Sequence, residues 1–148
     1  MKKNILAIAL ALFGFSSSVI GQDIPQSLVP SVIQNNFKKT FPNAKDVEWE
    51  QEGEMYQVEF ETGWDIDHDV WYNSAGEIVK HEEDIYRRSL PEAINNKLNT
   101  EFSRYAIDDL KKISSSSHTA YTLELKSFTE EWKIAFDETG KVLSKIAD

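Results

Sequence analysis

Apolar residues follow two different periods along the chain, and the two periods alternate. Between residues 29 and 41, apolar side chains recur every three or four positions, which is the spacing of one face of a helix. From residue 46 to residue 81, apolar and polar side chains alternate with period two, which indicates β-strands with one buried face. A helix over 29–41 is therefore predicted, followed by strands over 46–50, 56–61, 64–72 and 77–81.

This helix-and-strand pattern occurs a second time. Residues 29–33 (Val-Pro-Ser-Val-Ile) recur as residues 90–94 (Leu-Pro-Glu-Ala-Ile), an offset of 90 − 29 = 61. Further strands are predicted over 106–113, 120–127, 132–137 and 141–146. We expect an α+β fold in which two tandem α-β-β-β-β units, at 22–88 and 89–148, form one continuous antiparallel sheet with both helices on one face.

Residues 1–21 have the pattern of a secretory signal peptide. Lys2 and Lys3 precede an apolar run over residues 5–15, and small residues follow it up to Gly21. A membrane-spanning helix needs about 20 apolar residues, so this shorter run is not predicted to be an anchor. Cleavage after Gly21 would leave no membrane span, and the protein is predicted to be periplasmic or secreted.

Composition excludes several classes of protein. The chain has no cysteine, which rules out disulfides, thiolate metal sites and cysteine nucleophiles. Its 25 acidic and 16 basic residues give a net charge of −9, the wrong sign for nucleic-acid binding. Nucleophile-elbow, Walker and dinucleotide-binding motifs are absent from the sequence, and the three histidines fall on different predicted elements. No catalytic residue and no enzymatic activity are predicted.

Acidic residues of the first unit occupy the outward phase of its strands. Like charges opposite one another on neighbouring strands are destabilising, and a basic partner would relieve their repulsion. Trp71 shares this phase and could anchor a contact. The predicted binding surface for an unknown, basic protein or peptide comprises Glu59, Glu61, Asp65, Asp67, Asp69 and Trp71. The alternative interpretation is a solvated acidic face that keeps a secreted protein soluble.

Calcium binding is a further alternative. Asp65, Asp67 and Asp69 copy the opening of an EF-hand loop, and carboxylates suit a hard cation. The rest of that loop is missing, because Val70 stands at the position of the turn glycine and Gly76 at that of the bidentate glutamate. Three alternate positions on a strand also spread over about 13 Å, so this site requires a bend or further ligands. No other cofactor is predicted.

The inward phase of the strands holds most of the remaining aromatic residues. These are predicted to pack in the core, together with a semi-buried His68 that is not expected to be a ligand. The inward set comprises Trp49, Tyr56, Phe60, Trp64, Tyr72, Tyr121 and Phe136.

Several segments together resemble one protein family. They are the secretory leader, residues 41–44 (Phe-Pro-Asn-Ala), residues 47–49 (Val-Glu-Trp), the hairpin at 72–78 and the second Leu-Pro helix at 90–91. These segments are similar to those of the PepSY-like, β-lactamase-inhibitor-like family of Gram-negative periplasmic proteins. The resemblance implies tandem helix-plus-sheet units with a concave exposed sheet, as in the β-lactamase inhibitor protein. The cysteines of that inhibitor have no counterpart here, so β-lactamase inhibition is not implied.

Overall fold

The computed structural model describes residues 21–147, which contain two α-helices and nine strands. The nine strands follow chain order across one antiparallel sheet. The predicted fold class is confirmed. In chain order the elements are β1 (Gln22–Asp23), α1 (Ser31–Thr40), β2 (Lys45–Glu52), β3 (Met55–Thr62), β4 (Ile66–Tyr72), β5 (Ile78–Asp84), α2 (Glu92–Glu101), β6 (Ala106–Ser115), β7 (Thr119–Lys126), β8 (Glu131–Asp137) and β9 (Val142–Ala147).

The described residues group into two compact units. The first unit contains residues 21–84 and 113–118, and the second contains residues 85–112 and 119–147. The sequence-based boundaries at 22–88 and 89–148 stay predictions. Apart from Gly21, the predicted signal peptide lies outside the described residues. None of the helices within 21–147 is long and apolar enough to span a membrane.

In the first unit, α1 packs its apolar stripe on one face of the strands. The helix begins at Ser31, directly after Pro30. N–H groups at the start of a helix have no intrahelical acceptor, so the proline at this point costs no hydrogen bond. Ile33 is fully buried, and the ring of Phe37 lies 5.3 Å from that of Trp49 and edge-on to it. The buried core consists of Val29, Ile33, Phe37, Trp49, Val58, Phe60, Val70 and Tyr72.

The second unit repeats this packing with its own core. Pro91 precedes α2, and Ile94 and Leu98 on the helix are buried. The buried cluster consists of Leu90, Ile94, Leu98, Tyr121, Leu123, Leu125, Ile134 and Phe136. The helical and alternating periods in the sequence therefore identified the buried faces of both units.

The turn between β4 and β5 is held against α1. Gly76 has a φ of 83°, and Asn36 Nδ2 donates a hydrogen bond of 2.8 Å to its carbonyl oxygen. A Cβ at this position would lie 2.9 Å from Asn36 Nδ2, so both the conformation and the close approach favour glycine. This contact fixes the end of the β4–β5 hairpin relative to the helix.

The turn between β3 and β4 is longer than predicted. Residues 63–65 form it, and β4 begins at Ile66 rather than at Trp64. Asp65 adopts a left-handed φ of 51°, which short aspartate side chains tolerate. The predicted inward position of Trp64 is wrong, because this side chain lies on the turn and is 88% exposed.

Candidate functional site

A row of four carboxylates crosses the sheet of the first unit. Glu48 pairs with Glu59, Glu59 with Asp69, and Asp69 with Glu82, so the row runs directly from β2 to β5. Side chains paired in this way share one face, with Cβ atoms about 4.5–5.5 Å apart. Val58 precedes Glu59 on β3 and is buried against α1, so these four residues, called the acidic row, lie on the opposite face.

The predicted surface residues are distributed over this face and its edge. Glu59 and Asp69 belong to the acidic row, while Glu61 pairs with Asp67 in the next row towards the turn. Trp71 lies on the other side of the acidic row, where it pairs with Gln57. Asp65 is separate from them, because it lies in the turn at residues 63–65.

Two members of the acidic row were not among the predicted surface residues. Alternation in the sequence places Glu48 on the outward face, so that residue was available to sequence reasoning. Glu82 joins the row only because β5 pairs with β4 in a particular register. A register between strands is a tertiary property, and the alternation of one strand does not contain it.

The carboxylates of this face repel one another. The pKa of Glu59 is raised, first by burial and then by the charges of Asp69 and Glu50. Burial likewise raises the pKa of Glu50, with Asp23 as the next cause. The amide of Gln57 donates hydrogen bonds of 2.9 Å to Asp69 and 3.4 Å to Glu59, which offsets part of this repulsion.

Trp71 is half-buried and is covered by a cation of the same unit. Trp71 pairs with Lys80 across β4 and β5, and the Lys80 ammonium lies 4.2 Å from the centre of the indole ring. The same ammonium is 2.5 Å from Glu82 Oε1. Lys80 thus shows, within the protein, how a cation can contact Trp71 and the acidic row together.

The second unit has balanced charges at the equivalent positions. Glu124 corresponds to Glu59 but pairs with Lys133 instead of an aspartate. Its carboxylate lies 2.8 Å from the Lys126 ammonium and 3.8 Å from that of Lys133. Ala135 stands at the position that Trp71 occupies in the first unit. The fold itself therefore requires neither the acidic row nor the tryptophan.

We expect Glu59→Gln to raise the free energy of unfolding at pH 7 by about 0.5 kcal/mol, within the range for one opposed like-charge pair. The pKa of Glu59 is raised in the folded protein, so ionisation of this carboxyl destabilises the fold. The destabilisation is absent below the unfolded-state pKa, where the carboxyl is protonated, and it develops as the pH rises through the folded-state pKa. The gain from the variant should therefore vanish near pH 4. Urea unfolding at both pH values measures it.

Glu124→Gln is the matched control for this prediction. The same substitution removes a carboxylate from contact with two lysines, so we expect it to lower the free energy of unfolding by up to about 1 kcal/mol. Changes of the same sign in both variants at pH 7 would contradict the electrostatic interpretation of the acidic row.

His68 lies on the opposite face, in the predicted inward position, and is buried rather than semi-buried. Its ring stacks on Phe60 at a centroid distance of 4.8 Å, and its Nε2 lies 2.7 Å from Thr62 Oγ1. Burial lowers the pKa of His68, while Glu83 and other nearby carboxylates act in the opposite direction. The lowered pKa favours a neutral imidazole.

The calcium alternative stays a prediction. Within residues 21–147, the three His, Asp or Glu side chains whose ligand atoms all lie within 4.8 Å of one another are His68, His81 and Glu83. None of the three aspartates between residues 65 and 69 belongs to this group.

Comparisons with known proteins agree with the fold. A protein from Bacteroides eggerthii described as "putative periplasmic" is 22% identical, with a TM-score of 0.69 over 80% of this chain and 88% of that chain. A BLIP-like protein from Bacteroides fragilis is 20% identical, with a TM-score of 0.67 over 84% and 87% of the two chains. A DUF2874 family protein from Bacteroides uniformis is 20% identical, with a TM-score of 0.67 over 80% and 88%. At these identities the likeness shows the fold alone.

A comparison with curated proteins finds no match. One family model matches twice, over residues 18–79 and again over residues 67–144. The two matches together span both units, in keeping with the internal repeat. The chain therefore belongs to the family described as "Putative beta-lactamase-inhibitor-like, PepSY-like".

Proposed function

We propose that this protein is a non-catalytic periplasmic or secreted binding protein that recognises a basic protein or peptide. The acidic row and Trp71 form its contact surface. The observation that carries the proposal is the direct register of Glu48, Glu59, Asp69 and Glu82, whose mutual repulsion a cationic partner would relieve. The description of one similar protein as "putative periplasmic" supports the setting, and membership of a β-lactamase-inhibitor-like family supports a binding role.

The spacing of the acidic row suits a helical partner. Neighbouring strands lie about 4.8 Å apart, so four residues in register span about 14 Å. A helix with lysines at positions i, i+4, i+7 and i+11 presents four cations along one stripe of about 16 Å, because each residue rises 1.5 Å. Such a helix, laid across the strands, would place one cation near each carboxylate.

Aromatic side chains supply the apolar part of the surface. Trp71 shares the face of the acidic row, and Trp64 is exposed on the turn that follows Glu61 and precedes Asp67. Tryptophan is enriched among residues that dominate binding energies. Lys80 would have to leave the Trp71 ring and Glu82 for a partner cation to take its place.

Two peptides of equal composition test the proposal. Both are helical 16-residue peptides with four lysines, which lie on one stripe in the aligned peptide and around the whole helix in the scattered peptide. By isothermal titration calorimetry, we expect one aligned peptide to bind per chain, about fivefold more tightly than the scattered peptide, which is about 1 kcal/mol. The affinity for the aligned peptide should fall as the salt concentration is raised. Equal affinities for the two peptides would contradict recognition by the acidic row.

Tryptophan variants separate the apolar contribution from charge. Trp71→Ala should weaken binding of the aligned peptide, because it removes the aromatic contact beside the acidic row. The control is Phe128→Ala, which removes an exposed aromatic residue of the second unit and should leave the affinity unchanged. A larger loss in the control than in Trp71→Ala would place the contact elsewhere.

A further inference from the structure

Two histidines and a glutamate meet on the face of the first unit that packs against α1. His68 on β4 pairs directly with Glu83 on β5, and His81 pairs with Val70, so the three side chains share this face. His68 Nδ1 and His81 Nε2 lie 3.0 Å apart and share a hydrogen bond, whose donor depends on the tautomers of the two rings. An oxygen of Glu83 completes a set whose atoms all lie within 4.8 Å of one another.

The distance between the two imidazole nitrogens is close to the separation of two nitrogens that bind the same metal ion. With metal–nitrogen bonds of about 2.05 Å, nitrogens 3.0 Å apart subtend about 94° at the ion, and tetrahedral geometry needs about 3.3 Å. An opening of about 0.3 Å therefore suffices for the imidazoles. The Glu83 carboxylate has to move further, and its side chain can do so by rotation about its own bonds.

The surroundings of His68 orient it as a ligand. When Nε2 of His68 donates its proton to Thr62 Oγ1, 2.7 Å away, Nδ1 presents its lone pair towards His81. His81 in the tautomer protonated at Nδ1 then presents a lone pair from Nε2. Phe60 stacks on His68, and the ring of Phe41 lies 5.5 Å from that of His81 and edge-on to it, so each imidazole packs against a phenylalanine.

The second unit has no metal-ligating side chain at the positions equivalent to His68, His81 and Glu83. Trp132 pairs with Ala147 as His68 pairs with Glu83, and Lys145 pairs with Ile134 as His81 pairs with Val70. The Lys145 ammonium lies 4.1 Å from the centre of the Trp132 ring, which makes a stable cation–π contact. The fold can therefore be built without His68, His81 and Glu83 at these positions.

In contrast to the sequence-based expectation that His68 is not a ligand, we propose that His68 Nδ1, His81 Nε2 and Glu83 bind one divalent transition-metal ion of the zinc type. Two imidazoles and one carboxylate suit Zn²⁺ and leave a fourth position for water or an external ligand. The site lies on the face opposite the acidic row, so it is independent of the proposed peptide contact. Hard cations such as Ca²⁺ prefer all-oxygen sites and are not expected to bind here.

Titration of the metal-free protein with Zn²⁺ tests the site. The protein is prepared without a polyhistidine tag and is treated with a chelator before calorimetry. We expect one equivalent to bind to the wild type, and the affinity to fall at least about tenfold in His81→Ala, which loses one of three ligands. The control variant carries Asp67→Asn and Asp69→Asn, removes two carboxylates of the other face and should bind Zn²⁺ as the wild type does.

A second measurement needs no variant. In long-range ¹H–¹⁵N spectra, Zn²⁺ should shift the imidazole nitrogens of His68 and His81 and leave those of the exposed His118 unchanged. Absence of binding to the wild type, equal affinity in His81→Ala, loss of binding in the aspartate control or shifts at His118 alone would each overturn the proposal.

Discussion

Replacement of Phe37 by alanine is expected to lower the free energy of unfolding by about 3–5 kcal/mol, the range for truncation of a buried phenylalanine. Phe37 is 6% exposed and is the point at which α1 meets the strands. Its ring lies 5.3 Å from Trp49, 5.1 Å from Phe60 and 5.7 Å from Phe41. Removal of the ring therefore leaves a cavity bordered by three aromatic side chains, which cannot all collapse into it.

Phe128→Ala is the matched control for this effect. Phe128 is fully exposed, so the same chemical change should alter the free energy of unfolding by less than about 0.5 kcal/mol. Chemical denaturation of both variants measures the difference. Similar losses in the two variants would contradict the packing of α1 on the first unit through Phe37.

Reversal of two charges in the acidic row is expected to produce the largest loss of binding. We expect Glu59→Lys with Asp69→Lys to weaken the aligned peptide by about 10- to 100-fold, which is about 1.4–2.8 kcal/mol. The two new lysines face each other, but each gains an acidic neighbour in Glu48 or Glu82. The variant should therefore fold, and thermal unfolding checks that it does.

A second pair of reversals controls for net charge. Glu131→Lys with Glu138→Lys changes the charge of the protein by the same amount at exposed positions of the second unit. We expect its affinity for the aligned peptide to fall far less, because the two exposed positions are not part of the acidic row and salt screens exposed charges. Equal losses in the two double variants would mean that overall charge, and not the acidic row, governs binding.

Much of the fold follows from the spacing of apolar residues along the sequence. The helical spacing that includes Ile33 and Phe37 and the alternation around Val58 and Val70 identify the buried faces, because each element can bury only one stripe or one face. The same alternation places Glu59 and Asp69 on one surface before any strand pairing is known. These predictions depend on local geometry alone, which is why the sequence contains them.

The meeting of His68 with His81 depends on tertiary structure. A bulge between Trp71 and Tyr72 shifts the register of β4 and β5 by one residue. A shift of one residue exchanges the two faces of a strand. With this bulge, Glu82 and Lys80 join the acidic face and His81 joins His68, whereas without it they would exchange sides. No alternation within β5 indicates which of these arrangements forms.

The exposure of Trp64 has a similar origin. The turn extends over residues 63–65 and includes a left-handed Asp65, so Trp64 lies outside the strand whose alternation would have buried it. Turn length is set by conformations of individual residues that a hydrophobic pattern does not record. The second unit carries exposed Phe128 in its corresponding turn, between β7 and β8.

Amide NMR mapping of the ¹⁵N-labelled protein during titration with the aligned peptide tests whether the acidic row is the binding surface, because it locates the contact without any substitution. We expect the largest shifts to fall on one face of the first unit, with a matching shift of the indole N–H of Trp71. The amides concerned are those of Glu48, Glu59, Asp69 and Glu82. Shifts concentrated in the second unit, around Glu124 and Lys133, would contradict the assignment of the acidic row as the binding surface.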